Sequence, residues 1–151
     1  MRLGIFEIKK GILDKQIDQL IEYSLNDESV GKFTSDRERF KDRQSFDEWQ
    51  QKGREIFTLN NKNNDLVGII WTGLKEKQIG NKKYNKTLAI RIYGEARGKG
   101  LALEFMRSCI KGKGYWLETS NDNLAAKALY SKFGFKEISE MDENGKVIMT
   151  Y

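Results

Sequence analysis

The chain has 151 residues, a single cysteine and no histidine. This length suits one domain that buries most of its apolar surface unaided. The missing residue types exclude an internal disulfide, the common zinc ligand sets and any histidine-based catalytic triad. Its 27 basic and 22 acidic residues give a formal charge of +5, but the two signs alternate along the chain, the pattern of a solvated surface with room for an anionic cofactor.

The opening run MRLGIFEIKKG places its short apolar stretch before its two lysines, the reverse of a signal peptide, and no apolar run approaches membrane-spanning length. A cytoplasmic protein with no membrane contact is expected. Gly4 to Ile8 alternate around Phe6 as a strand, and Leu13, Ile17, Leu20 and Ile21 then recur at helical spacing. Ser24 to Gln44 is polar, with Phe33 and Phe40 as its main apolar anchors, and fits a helix, a loop or a mobile segment alike. Ser45 followed by Glu48 is a capping-box pattern that opens a short helix burying Phe46 and Trp49. Arg54 to Leu59 and Leu66 to Leu74 form a hairpin around the Asn- and Lys-rich turn at 60–65.

After a polar connection from Lys75 to Lys86, the run Thr87 to Tyr93 sets Leu88, Ile90 and Ile92 against Ala89, Arg91 and Tyr93, a strand with two unlike faces. Leu101, Phe105, Met106, Cys109 and Ile110 make one helical stripe, stopped by Gly112 and Gly114. Tyr115 to Thr119 is a short strand. Asn123 or a neighbour caps a helix carrying Ala125, Ala128, Leu129 and Phe133, which Gly134 ends. Strands from Phe135 to Met141 and from Lys146 to Tyr151 pair around Asn144-Gly145. The elements describe a single α/β or α+β domain over residues 1–151, with helices over a mostly antiparallel sheet.

Between a strand and a helix lies Arg97-Gly98-Lys99-Gly100-Leu101-Ala102. Such a segment brings free backbone N–H groups to the positive end of a helix dipole, a geometry that suits phosphate. Gly98 and Gly100 let the backbone approach an anion closely, and Arg97 and Lys99 add charge. An ordinary glycine turn with exposed basic residues has the same appearance. Two other phosphate loops fail on inspection. A Walker loop needs Ser or Thr after Gly-Lys, where Gly100 stands, and a Rossmann fingerprint needs a third glycine where Leu103 stands.

The same string is similar to the R/Q-x-x-G-x-G/A signature of the GNAT superfamily of acetyltransferases. Trp116-Leu117-Glu118-Thr119, then Asn123, Ala126, Leu129-Tyr130 and Phe133-Gly134-Phe135, resembles that family's next conserved block. The resemblance implies a GNAT-type mixed sheet, mostly antiparallel and flanked by about four helices, with a splay between the fourth and fifth strands, those ending at Ile92 and near Thr119. It implies an N-acetyltransferase that passes an acetyl group from acetyl-CoA to a primary amine in a ternary complex, without a metal. The pantetheine arm would lie against main-chain groups of Ile90, Arg91 and Ile92 and against Asn123. The pyrophosphate would rest on N–H groups of Gly98, Lys99, Gly100, Leu101, Ala102 and Leu103 beside Arg97.

Tyr130 matches the family tyrosine whose hydroxyl approaches the sulfur, and a phenol is well matched to protonate a thiolate. A backbone N–H near Ile92 would polarise the thioester carbonyl. Glu118 is the first choice of base and resembles the glutamate of the branch that acetylates the N-terminal amine of ribosomal proteins. Water is the alternative, and Glu95 the second carboxylate. Cys109 reads as core, and Gly94 stands where many relatives carry proline. A coenzyme-binding domain without turnover is the alternative function. A nucleic-acid module ranks last, since the charges are mixed and no RNP-type strand is present. The acceptor would be set by Ser24 to Gln44 and Lys75 to Lys86, where Asp36, Glu38 and Asp47 interleave with Arg37, Arg39 and Lys41 and leave its charge open. A small molecule, a protein N-terminus or a lysine would serve, and monomer and homodimer both fit.

Overall fold

Alternating side chains give every central strand two apolar faces, and the chain covers both. In the computed structural model, which describes residues 1–138 and 142–151, the strands form one sheet in the order β1-β2-β3-β4-β5-β6-β8-β7. A hairpin of β1 (Arg2–Leu3) and β2 (Phe6–Lys10) starts the sheet, and β3 (Arg54–Asn60), β4 (Leu66–Ile79) and β5 (Lys82–Ile92) continue it antiparallel. β6 (Tyr115–Ser120) runs parallel to β5, and β8 (Lys146–Thr150) lies between β6 and β7 (Lys136–Glu137). The sheet is therefore mixed and mostly antiparallel, as the resemblance implies.

Six helices flank the sheet among the described residues. On one face α1 (Asp14–Asn26), α2 (Glu28–Phe33), α3 (Asp36–Arg39) and α4 (Arg43–Gln51) cover Ile56, Ile69, Trp71 and Tyr93 with Leu20, Val30, Phe46 and Trp49. On the other, α5 (Ala102–Cys109) and α6 (Leu124–Phe133) cover Val67, Ile70, Leu88 and Ile90 with Phe105, Met106 and Tyr130. Leu88 and Ile90 thus enter one core and Ala89 and Tyr93 the other, the two-faced strand read from the sequence. No helix among the described residues is long and apolar enough to cross a membrane.

The structure departs from the expected elements in several places and decides between the alternatives left open for Ser24 to Gln44. The amino-terminal strand is split by a turn at Gly4-Ile5, where Gly4 has φ +60° and Ile5 faces solvent. The segment from Ser24 to Gln44 is mostly helical. Its polar side chains hid the period because several of them are buried and bonded: Ser24 Oγ donates to the Leu20 carbonyl at 2.7 Å, and Asp36 is fully enclosed. α4 begins two residues before Ser45, because the Asp42 carboxylate, not Ser45, accepts a cap bond, from Ser45 N at 2.8 Å.

The polar connection from Lys75 to Lys86 is a continuation of β4 and β5 around Gly80, with a bulge between Leu74 and Lys77. Its side chains are largely exposed, so no apolar alternation marks it. Finally, of the strand expected from Phe135 to Met141, Lys136–Glu137 pairs with β8 and Ile138 N donates to the Ile148 carbonyl at 3.0 Å, while residues 139–141 lie outside the described residues.

Candidate active site

The pairing of β5 with β6 consists of Lys86 with Tyr115 and Thr87 with Trp116, and beyond it the strands part. The backbone of β5 past Thr87 then has β4 on one edge only. Tyr93 N donates to Val67 O at 2.8 Å, and the N–H and C=O of alternate residues point to the same edge of a strand. Arg91 is consequently bonded toward β4, whereas Ile90 and Ile92 turn their main-chain groups into the gap. Of these three expected contacts, two turn toward the gap, and since the Ile90 carbonyl already accepts from Arg91 Nη1 at 3.0 Å and the Ile92 carbonyl from Arg97, it is their N–H groups that they offer. A cavity of about 730 Å³ fills the splay and reaches both layers: Ile90, Gly98, Ala126 and Tyr130 line one part, Trp49 and Trp71 the other.

The chain leaves β5 through a short turn, Gly94–Ala96, before the glycine loop. Gly98 and Gly100 hold φ of +77° and +69°, and a Cβ on either would meet nothing within 4 Å of the chain. Within the chain, then, it is the left-handed backbone that calls for glycine there. Leu101 starts α5 without a side-chain cap, so the first N–H groups of the helix have no partner from its own first turn. Gly98, Gly100, Leu101 and Ala102 line the cavity; Lys99 and Leu103 do not. Arg97 is engaged by the chain itself: its guanidinium donates to the Ile92 carbonyl at 2.9 and 3.2 Å and pairs with Asp27 at 2.8 Å.

Tyr130 is buried on α6, against Phe135 at 5.7 Å between rings, and lines the cavity. Burial raises its pKa above the ordinary phenol value, with Arg91 opposing in part. Its proton therefore persists through neutral and moderately alkaline pH. Glu118 lies on the opposite face of the sheet, next to Trp116 in alternation on β6, exposed and lining the cavity. Asn123 caps α6, its Oδ1 accepting from Ala126 N at 3.2 Å, which leaves its amide nitrogen for other partners. The cavity thus brings Tyr130, Glu118 and Asn123 together with the loop. Glu95 falls elsewhere, accepting from Asn61 Nδ2 at 3.0 Å in a groove beside α1. Cys109 is in the core, its thiol pushed by burial up to about 12.

The sequence reading names Asp36 only among the charges near the acceptor and misses its pairing with Arg91. Asp36 on α3 is fully buried and receives Arg91 at 2.7 and 3.2 Å and Arg39 at 2.5 Å. Burial pulls the Arg91 pKa down and Asp36 more than reverses it, so it lies above the ordinary value. A signal was available: an arginine alternating with Ala89 and Tyr93 on an interior strand face demands a carboxylate.

The Acetyltransferase (GNAT) family pattern matches residues 19–135. Spermine/spermidine N(1)-acetyltransferase of Bacillus subtilis (strain 168) is 31% identical over 94 residues, 56% of this chain and 62% of that protein, so the chain spans less than two thirds of that relative. Ribosomal-protein-alanine N-acetyltransferase from Brucella melitensis superimposes with a TM-score of 0.71 at 16% identity, covering 96% of this chain and 98% of that one. Spermidine N-acetyltransferase from Vibrio cholerae, in complex with CoA and spermine, gives 0.67 at 16% identity, covering 97% and 94%. These two structures share the fold. Since the family pattern spans well over half of the sequence, from α1 through the glycine loop to the end of α6, the chain belongs to the GNAT family of acetyltransferases.

Proposed function

We propose that this chain transfers an acetyl group from acetyl-CoA directly to a primary amine, with Tyr130 as proton donor and Glu118, or a water it holds, as proton acceptor. The observation that carries the reading is one continuous cavity through the β5–β6 gap, with the glycine loop at one end and Glu118 on the far face of the sheet. The chain fits the coenzyme. Two left-handed glycines and the uncapped start of α5 offer backbone donors to a pyrophosphate, and Ile90 and Ile92 offer backbone N–H groups to an amide-bearing arm. When bound, acetyl-CoA supplies an acetyl group activated as a thioester.

The protein's own groups do the remaining work. The Tyr130 hydroxyl, kept protonated by burial, holds a proton for the departing sulfur. Glu118 takes the proton of an incoming ammonium, and the Ile92 N–H donates to the carbonyl oxygen where negative charge develops. Two relatives are named for spermidine or spermine as acceptor, which supports a small-molecule amine.

The test is thiol release from acetyl-CoA with polyamines, aminoglycosides, amino acids and N-terminal peptides as acceptors. Turnover on at least one, reduced in Tyr130→Phe, is expected. Coenzyme-dependent thermal stabilisation with no turnover on any amine would instead favour a binding domain. Stabilisation by free adenine nucleotides equal to that by acetyl-CoA would remove the coenzyme.

A further inference from the structure

The cavity's lining changes character across the sheet. On the α1–α4 side it is built from tryptophans and guanidiniums, and Glu118 is the one carboxylate among its described lining residues. Trp49 and Trp71 pack edge to face at 5.4 Å. Their rings are already covered by cations: Arg54 lies 5.4 Å from the centroid of Trp49, and Arg39 and Arg91 lie 5.6 and 5.0 Å from that of Trp71.

The charges there do not balance. Arg39 and Arg91 share the single carboxylate of Asp36. The Arg54 side chain is half-buried, lies against Trp49, and makes neither hydrogen bond nor ion pair among the described residues. Its pKa is lowered by burial and by the neighbouring Arg39, both of which disfavour its charge. Three guanidiniums against one carboxylate leave two positive charges at the wall. Lys75 extends the same wall, 5.8 Å from the centroid of Trp116, whose Nε1 donates to the Lys75 carbonyl at 2.8 Å.

A polycationic acceptor would meet repulsion at this wall, and the tryptophan faces that could receive an ammonium are taken. An oxyanion would meet a free guanidinium fork, the group best shaped to bind it, in a partly desolvated setting where the pairing is strengthened. Accepting the amine transfer proposed above, we infer that the acceptor amine carries an oxyanion, a carboxylate or phosphonate, that Arg54 binds with Arg39 beside Trp49 and Trp71. The amine then extends toward Glu118 and the gap.

The experiment compares matched acceptors. Rates of acetylation are measured for 4-aminobutyrate and 3-aminopropylphosphonate against butylamine, for phenylalanine against phenethylamine, and for spermidine. The anionic member of at least one pair is expected to be favoured in kcat/KM by about tenfold or more, the size of one charge-assisted hydrogen bond. Arg54→Met, which keeps the packing on Trp49, is expected to collapse that preference to within about threefold while coenzyme affinity is retained. The carboxylate and phosphonate arms decide which oxyanion is preferred.

Spermidine outrunning every anionic amine, or an Arg54→Met variant with unchanged preference, overturns the inference and leaves the amine transfer standing. If no amine turns over, the transfer reading falls. The inference is then judged by calorimetric titration of the same pairs into coenzyme A-loaded protein: tighter binding of the anionic members, lost in Arg54→Met, supports it, and equal or weaker binding overturns it.

Discussion

Replacing Asp36 by Asn removes the charge at the centre of the α3–β5 contact while keeping the side chain's shape. Asp36 has no exposure, and the Arg91 side chain is only 15% exposed, so solvent screens their pair little. Arg39 is 33% exposed, and its share is partly screened. Breaking a buried ion pair by removing one partner costs about 3–5 kcal/mol, because the other charge stays buried and unpaired. With the Arg39 share discounted, about 3 kcal/mol is expected. At about 2–4 °C per kcal/mol for a chain of 151 residues, the melting temperature falls by about 10 °C.

Urea unfolding checks the value as a lowered midpoint at unchanged slope. Adding Arg91→Met removes the orphaned cation together with its partner, so the double variant should lose no more than Asp36→Asn alone. A midpoint shift worth less than about 0.5 kcal/mol for Asp36→Asn, or a double variant whose loss equals the sum of the singles, would refute the account of α3 as the charged anchor of β5.

Tyr130→Phe is expected to lower kcat by about a hundredfold or more. In the wild type the alkaline decline of kcat should begin above the ordinary phenol value of 10.0, since burial raises the Tyr130 pKa, and pH profiles should show that decline absent from the variant. A variant of full activity would remove the tyrosine from the reaction. Gly98→Ala forces an alanine to φ +77°, a strain of about 1–2 kcal/mol; the KM for acetyl-CoA should rise about tenfold with the fold intact, read from initial rates and circular dichroism. Tyr93→Phe deletes the one buried hydroxyl without a partner among the described residues and should stabilise by about 1 kcal/mol. Because burial holds the Tyr93 pKa well above its ordinary value in the folded state, the wild type should lose stability as pH rises past 10, and the variant should lose less.

The proposed donor site was legible because it is local. The glycine loop, the capping Asn123 and Tyr130 occupy short runs of sequence, and each depends on a backbone conformation or helix position that neighbouring residues dictate. Leu88 and Ile90 against Ala89 and Tyr93 displayed the two-layer architecture for the same reason. The α1–α3 region was obscure because buried polar side chains replace apolar ones at its interior positions. Gln16, enclosed on α1, donates to Asn60 and to the Asn64 carbonyl, and no hydropathy period reveals such a residue. The acceptor wall is non-local as well: Arg39, Arg54, Trp71, Lys75 and Trp116 come from a helix and three strands and acquire a common meaning only when the sheet assembles.

Two ion pairs fasten these halves to each other. Arg91 carries the strand that edges the gap onto Asp36 of α3, and Arg97 carries the glycine loop onto Asp27, the cap of α2. The loop is therefore positioned by the helices that wall the acceptor side, and a change in α2 should be felt by the donor. Asp27→Ser isolates the effect, because serine caps a helix as well as aspartate but carries no charge. The Arg97 side chain is 45% exposed, so its pair with Asp27 is worth at most about 1 kcal/mol, and the KM for acetyl-CoA should rise by up to about fivefold with little change in melting temperature. An unchanged coenzyme KM in that variant would mean that the bonds from Arg97 to the Ile92 carbonyl hold the loop by themselves, and that the acceptor helices could vary without disturbing the donor site.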